Sequence, residues 1–60
     1  MKIIDKNTKE VIADIIGGET MTMDEVLDLM RYSVTGEGQI HDDDNDQDLN
    51  AWYDDLEMVL

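Results

Sequence analysis

The sequence predicts a small single domain of the α+β class, with an N-terminal β-hairpin and two amphipathic helices over residues 1–60. Three observations lead to this prediction: two β-branched segments separated by a turn, a helix-start signal at Thr22, and helical spacing of apolar residues over the last part of the chain. A chain this short buries only about 60% of the surface that its unfolded form exposes. The absence of cysteine excludes disulfides, so packing alone must stabilise a thin core.

The first element is the predicted hairpin. Residues 2–4 (KII) and 10–16 (EVIADII) are rich in β-branched side chains. Between them, the segment DKNTK carries Asp, Asn and Thr, which bond to their own backbone in tight turns. Apolar residues fall on both faces of the second strand, so its alternation is imperfect. Because a two-stranded ribbon is marginal in water, a helix or another chain must cover it.

The second element is a helix that follows Gly17-Gly18. Thr22 and Glu25 match the capping box, in which each side chain bonds to the other residue's backbone N–H. The predicted helix runs from about Met23 to Ser33, with Gly36 expected to supply a left-handed C-terminal cap. One face of this helix carries the apolar residues Met23, Val26, Leu27, Met30 and Val34.

The third element is a second amphipathic helix from about Leu49, capped by Asp46 or Asp48. Its apolar face would consist of Leu49, Trp52, Tyr53, Leu56, Val59 and Leu60. The competing interpretation makes LEMVL, residues 56–60, an edge strand that returns to the hairpin. Acidic residues near the chain end oppose a helix dipole there, which disfavours a helix that reaches the end. Residues 39–41 fit either a strand or a loop.

Charge is the strongest global signal. Sixteen acidic residues against four basic ones give a formal net charge of −12, and no Lys or Arg follows Arg31. Such a chain repels nucleic acid and anionic membranes and attracts basic surfaces. No apolar run approaches the roughly 20 residues that cross a bilayer, and the N-terminus carries charge where a signal peptide needs apolar residues. We therefore expect a cytoplasmic protein without direct contact to nucleic acid or membrane.

Five aspartates lie within residues 42–48, which we call the acidic run, and such a cluster could bind calcium. The EF-hand pattern places oxygen ligands at loop positions 1, 3 and 5, a glycine at position 6 and a glutamate at position 12. Asp44, Asp46 and Asp48 occupy the first three positions, but Leu49 replaces the glycine and Asp55 replaces the glutamate. A calcium module is therefore only the third functional alternative, and the sequence predicts no specific metal ligand or cofactor.

Catalysis is not expected. His41 lies beside Asp42, and such a pair supports acid–base or metal chemistry in some proteins, but an exposed loop histidine is the simpler interpretation. Gly17-Gly18 lacks the spacing and the following lysine of a phosphate loop. We therefore predict a binding protein with no catalytic residue.

The leading functional hypothesis is an acidic interaction module that engages a basic protein surface, with mimicry of a nucleic acid as its specific form. Regularly spaced carboxylates can replace phosphates because Lys and Arg recognise negative charge at a given spacing. In this hypothesis the aspartates steer the partner, and Trp52 or Tyr53 anchors it, although both aromatic residues also suit a core. The candidate partner-binding residues are Asp42, Asp43, Asp44, Asp46, Asp48, Trp52, Tyr53, Asp54 and Asp55. The alternative is a structural or accessory homodimer that covers the open hairpin and whose acidity only increases solubility.

The opening MKIIDKNTKEV, the segment MTMDEVLDLM and the ending WYDDLEMVL resemble the short acidic open reading frames of bacterial phages and mobile elements. The resemblance covers most of the chain and implies no particular activity. Small acidic inhibitors of nucleases and related enzymes use nucleic-acid mimicry, which is consistent with the leading hypothesis.

Overall fold

Six β-strands form two antiparallel three-stranded sheets, joined by one short helix, in a computed structural model that describes residues 1–60. The first sheet has the strand order β2-β1-β6, and the second has the order β3-β4-β5. The elements are β1 Lys2–Asp5, β2 Val11–Asp14, α1 Met23–Leu29, β3 Tyr32–Val34, β4 Gln39–Asp42, β5 Gln47–Trp52, a 3-10 turn Tyr53–Asp55, and β6 Leu56–Val59. The expected α+β domain with two helices is therefore wrong, and the protein is mostly β.

The N-terminal hairpin is confirmed, together with the side-chain bonds that form its turn. β1 pairs with β2 in antiparallel orientation. The Oδ1 atom of Asp5 accepts the backbone N–H groups of Asn7, at 2.8 Å, and of Thr8, at 3.2 Å. Asp5 is only 6% exposed, so these bonds satisfy a carboxylate that would otherwise be costly to bury.

A β-bulge explains the imperfect alternation of β2. Ile3 pairs with Ala13 and Ile4 with Val11, so Ile12 is an extra residue on its strand. An extra residue shifts the alternation by one position. As a result, Ile12 packs against the core although its neighbour Ala13 is also buried.

The helix begins as predicted but ends earlier. Both bonds of the capping box between Thr22 and Glu25 are present, and they lower the pKa of Glu25, mainly through the backbone N–H of Thr22. α1 ends at Leu29, because Arg31 adopts the left-handed region with φ of 62° and redirects the chain. The predicted end at Ser33 is wrong, since this residue lies in β3. The left-handed cap expected at Gly36 is not used.

The C-terminal helix from about Leu49 is also wrong, and residues 47–59 form β5, the 3-10 turn and β6. In β5 the exposed Asp48, Asn50 and Trp52 alternate with the more buried Leu49 and Ala51, which is strand periodicity. The competing interpretation of the last segment is confirmed, because β6 pairs with β1 as an edge strand. Strands have almost no net dipole, so the acidic residues of this segment cost less there than at a helix C-terminus.

The core consists of two small clusters of buried residues. Ile3, Ala13 and Val26 form the first, and Leu27, Ile40 and Ala51 form the second. α1 contributes to both, since Val26 faces one cluster and Leu27 the other. All five methionines pack around the first cluster. The second cluster supports the inner face of the β3-β4-β5 sheet, whose outer face carries the candidate site.

Candidate functional site

The acidic run forms the tight connection between β4 and β5, and we call residues 42–48 the acidic turn. Asp42 pairs with Gln47 and His41 with Asp48, so the run reverses direction within a few residues. Asp46 adopts a positive φ of 52°, a conformation that Asp tolerates better than most residues. The expected loop is therefore a hairpin turn that fixes its carboxylates next to the preceding strand.

His41 lies at the centre of the acidic turn. Its Nδ1 atom is 2.7 Å from Oδ1 of Asp48, and its Nε2 atom is 3.1 Å from Oδ1 of Asp46. A neutral imidazole has one N–H group, so one of these contacts would set a lone pair against a carboxylate. Both contacts are favourable only for the imidazolium. The hydrogen bond to Asp48, aided by Asp46, accordingly raises the pKa of His41 above its ordinary value of 6.5.

Asp42 accepts hydrogen bonds from other residues of the turn. Its Oδ1 atom accepts the backbone N–H groups of Asp44, at 3.1 Å, and of Asn45, at 3.3 Å. Its Oδ2 atom accepts the side-chain amide of Asn45 at 2.8 Å. The Asn45 amide, followed by the two backbone N–H groups, lowers the pKa of Asp42 below its ordinary value of 3.8. The turn is thus best formed when Asp42 is ionised.

Three further hydrogen bonds tie the turn to Ser33 in β3 and to Arg31, the residue before β3. Ser33 donates its hydroxyl to Oδ1 of Asp43 at 2.7 Å. Arg31 donates Nε–H to Oδ1 of Asp44 at 2.7 Å, and its carbonyl accepts the backbone N–H of Asp43 at 3.0 Å. The left-handed conformation of Arg31 therefore serves the turn as well as ending the helix.

The acidic turn remains negative after these contacts. Its five aspartates face Arg31 and, when His41 is protonated, its imidazolium, so the local charge is −3 with His41 protonated and −4 with it neutral. Four of the aspartates, at positions 43, 44, 46 and 48, use only Oδ1 in these contacts. A carboxylate accepts up to about four hydrogen bonds. The side chains of the four are between 49% exposed, for Asp43, and 94% exposed, for Asp46, so their second oxygens are open to a partner.

The remaining predicted site residues lie at the other end of β5. Trp52 pairs with Gln39, and about 13 Å of strand separates it from Asp48. The indole is 40% exposed and points to the outer face of the sheet, like Asp48 and Asn50. The structure therefore divides the nine predicted residues into two groups at opposite ends of one hairpin.

Tyr53 and its neighbours contact the helix and the first sheet. The Tyr53 hydroxyl donates to Oδ1 of Asp24 at 2.9 Å, and its ring packs against the second core cluster. The hydrogen bond to Asp24, together with burial, raises the pKa of Tyr53 above 10.0. Asp54 is exposed, whereas Asp55 is half-buried and its carbonyl accepts the backbone N–H of Lys6 at 2.9 Å. Tyr53 thus links β5 to α1.

No three His, Asp or Glu side chains converge in a geometry that could hold a metal ion. The aspartates that match the first EF-hand positions contact His41 and Arg31 instead.

A second feature is an open cleft of about 290 Å³ beside β2, which we call the β2 cleft. It lies between β2, an edge strand of the first sheet, and residues of β3 and β5 in the second sheet. Four of its six lining residues are apolar. These residues are Glu10, Val11, Ile12, Tyr32, Leu49 and Asn50.

The fold contains no helix with the length and apolar character that crossing a membrane requires. Comparisons with protein-family models, curated proteins and solved structures found no significant match to this chain.

Proposed function

We propose that this protein is an acidic interaction module that engages a basic protein surface through the acidic turn. The observation that carries the proposal is the fixed set of exposed carboxylates at positions 43, 44, 46 and 48, each with one oxygen held by the fold and one left open. Ordering these side chains in advance reduces the entropy lost on binding. A partner's Arg or Lys then meets acceptors that are already in place.

The rest of the molecule supports this proposal through its uncancelled charge. Only Asp44, among sixteen acidic residues, forms an ion pair with a Lys or Arg side chain. The three lysines form no ion pair within 4.0 Å. The chain thus keeps a strong negative field, which increases the encounter rate with cationic surfaces and opposes approach to nucleic acid.

Nucleic-acid mimicry is the specific form of this proposal. A groove that binds nucleic acid recognises rows of negative charge through Lys and Arg. The acidic turn presents four such charges along a short path, on a scaffold that does not need to fold on binding. A mimic competes with duplex DNA or RNA for its partner, whereas a module that binds elsewhere on a basic protein does not.

The test is affinity capture from a host lysate at low and high salt, followed by titration of the captured protein with matched variants. In the turn variant, Asp43, Asp44, Asp46 and Asp48 are each changed to Asn. The control variant carries Glu19→Gln, Asp28→Asn, Glu37→Gln and Glu57→Gln, which remove the same charge from exposed positions elsewhere.

We expect the turn variant to weaken binding at least tenfold more than the control variant, with a steep loss of affinity in salt for the unmodified chain. Equal losses in both variants would show that only the overall charge matters. If no basic protein is retained at low salt, the proposal is wrong. Displacement by duplex DNA or RNA then separates mimicry from other basic-surface binding.

A homodimer is the second candidate, and a specific observation favours it. Each sheet has two edge strands, and several large apolar side chains are exposed on or near them, including Val11, Val34 and Val59. Exposed edges and apolar side chains are common sites of association. Sedimentation velocity distinguishes the homodimer from the acidic interaction module, because a dimer held by apolar surface would persist or tighten in high salt.

A further inference from the structure

The β2 cleft combines apolar walls with a free strand edge. β2 pairs only with β1, so its other edge has no backbone partner. Val11 lies on this strand with 54% of its surface exposed, next to the half-buried Ile12. An unpaired edge beside an apolar cleft is the arrangement that receives an added strand, since the backbone supplies hydrogen bonds and the cleft accepts a side chain.

The backbone pattern identifies which groups of β2 are free. Ile15 exchanges both backbone hydrogen bonds with Met1, so its N–H and C=O point toward β1. Successive residues of a strand direct these groups to opposite sides, so those of Asp14 point to the open edge. The Asp14 amide is therefore a specific reporter for a strand that pairs there.

Charge indicates what kind of strand would fit. Glu10 lines the cleft and Asp14 ends β2, and both are exposed. The nearest cations are Lys9 before Glu10 and Lys2 opposite Asp14, and neither forms an ion pair. A second copy of this chain would bring another net charge of −12 to the same edge, which opposes self-association there. A cationic segment has the complementary charge.

We propose that the β2 cleft binds an extended segment of a cationic protein by strand addition, with an apolar side chain in the cleft and a Lys or Arg on each side. Glu10 and Asp14 flank the apolar residues of β2, and the bulge at Ile12 places their side chains on opposite faces of the strand. The matching segment carries a large aliphatic residue with a Lys or Arg before it and another after it, so that one cation can reach each carboxylate. This inference rests on the proposed function, because it adds a second contact for the same class of partner.

The probe is a capped peptide containing Lys-Thr-Leu-Thr-Lys, titrated into the intact protein by NMR. We expect saturable shifts of the cleft residues and at least a tenfold slowing of hydrogen exchange at the Asp14 amide. A control peptide in which both lysines are replaced by glutamate should not bind. A second control with Ser in place of Leu keeps the charge, and we expect it to bind at least fivefold more weakly.

Two matched variants test the location. Val11→Arg places a cation in the cleft, and Val59→Arg places one on β6, the other edge of the same sheet, where the valine is 37% exposed. Both change the net charge equally. We expect Val11→Arg to weaken peptide binding at least tenfold and Val59→Arg to change it less than threefold. Equal effects would overturn the inference.

The outcomes also separate this inference from the proposed function. If the peptide shifts only the acidic turn, and the turn variant abolishes its binding, then the strand-addition site is wrong while the basic-surface module stands. If the peptide binds in the cleft but the turn variant binds the captured partner as tightly as the unmodified chain does, then the strand-addition site stands and the acidic turn is not the binding site. If the peptide does not bind at all, the inference fails.

Discussion

A single histidine organises the acidic turn. His41 contacts carboxylates through both ring nitrogens, and its side chain is only 24% exposed. In the imidazolium form it offsets part of the repulsion between Asp46 and Asp48, which the hairpin brings to the same face. The protonation state of one side chain therefore controls how well the turn is held.

We predict that the stability of the protein falls as pH rises through the pKa of His41. The folded chain binds this proton more tightly than the unfolded chain does, because the pKa is raised above 6.5. The stabilisation is thus fully present below pH 6.5 and is lost as pH passes the raised value. NMR titration of the imidazole gives the pKa, and urea melts above about pH 6, where carboxylates stay ionised, give the stability.

His41→Gln is the matched control, since it retains a hydrogen-bonding side chain but has no proton to lose. Its stability should vary less with pH over the same range than that of the unmodified chain. A measured His41 pKa at or below 6.5 would contradict the imidazolium interpretation.

At the scale of elements, local signals in the sequence predicted the hairpin turn and the helix start. Asp5 bonds to the backbone of its own turn, and Thr22 bonds to Glu25 only three residues away. Such contacts depend little on the rest of the fold. The end of α1 was not predictable in this way, because Arg31 leaves the helix to contact the acidic turn.

The second sheet was missed because the apolar spacing from Leu49 favours a helix, although the sheet forms through hairpins between residues close in sequence. The helical spacing of Leu49, Trp52 and Tyr53 is real, but a strand followed by a tight turn generates the same positions. The contacts of Arg31 and Ser33 with the acidic turn were not predicted either, because the pairing of β3 with β4 brings these two residues to the aspartates. One signal was available: a hairpin centred on the acidic run would have paired His41 with Asp48.

We predict that Thr22→Ala costs about 1 kcal/mol of stability. α1 has seven residues, which is too short to form alone, so both capping-box bonds contribute to its start. The neighbouring Thr20→Ala is a suitable control, because Thr20 is exposed and forms no side-chain hydrogen bond with the helix. Urea denaturation at neutral pH measures both. A cost for Thr22→Ala no larger than that of the control would show that packing alone sets the helix start.

At the scale of the whole molecule, sixteen acidic residues share a body of 27 × 23 × 17 Å. The Debye length at physiological salt is about 8 Å, so neighbouring carboxylates still repel one another there. Self-repulsion of this kind destabilises the compact state. Repulsion between carboxylates therefore remains in the folded protein, and a cationic partner can reduce it.

We predict that moderate NaCl stabilises the folded protein. Screening the repulsion should raise the free energy of unfolding on the order of 1 kcal/mol, which shifts the Tm by about 4–8 °C in a domain of this size. Thermal melts in dilute buffer and in physiological NaCl measure the effect. Urea, and not guanidinium chloride, is the denaturant for confirmation, because guanidinium is itself a screening salt. A Tm that falls or stays constant would contradict the prediction.

The single helix also determines how the protein unfolds. Val26 and Leu27 are adjacent in α1 but belong to different clusters, and Ile12, Met23 and Leu56 pack against both. Opening either sheet would expose apolar surface in the other, and neither three-stranded sheet keeps a covered face without α1. We therefore expect that the two halves have no separate folding equilibria and that the chain unfolds as one cooperative unit.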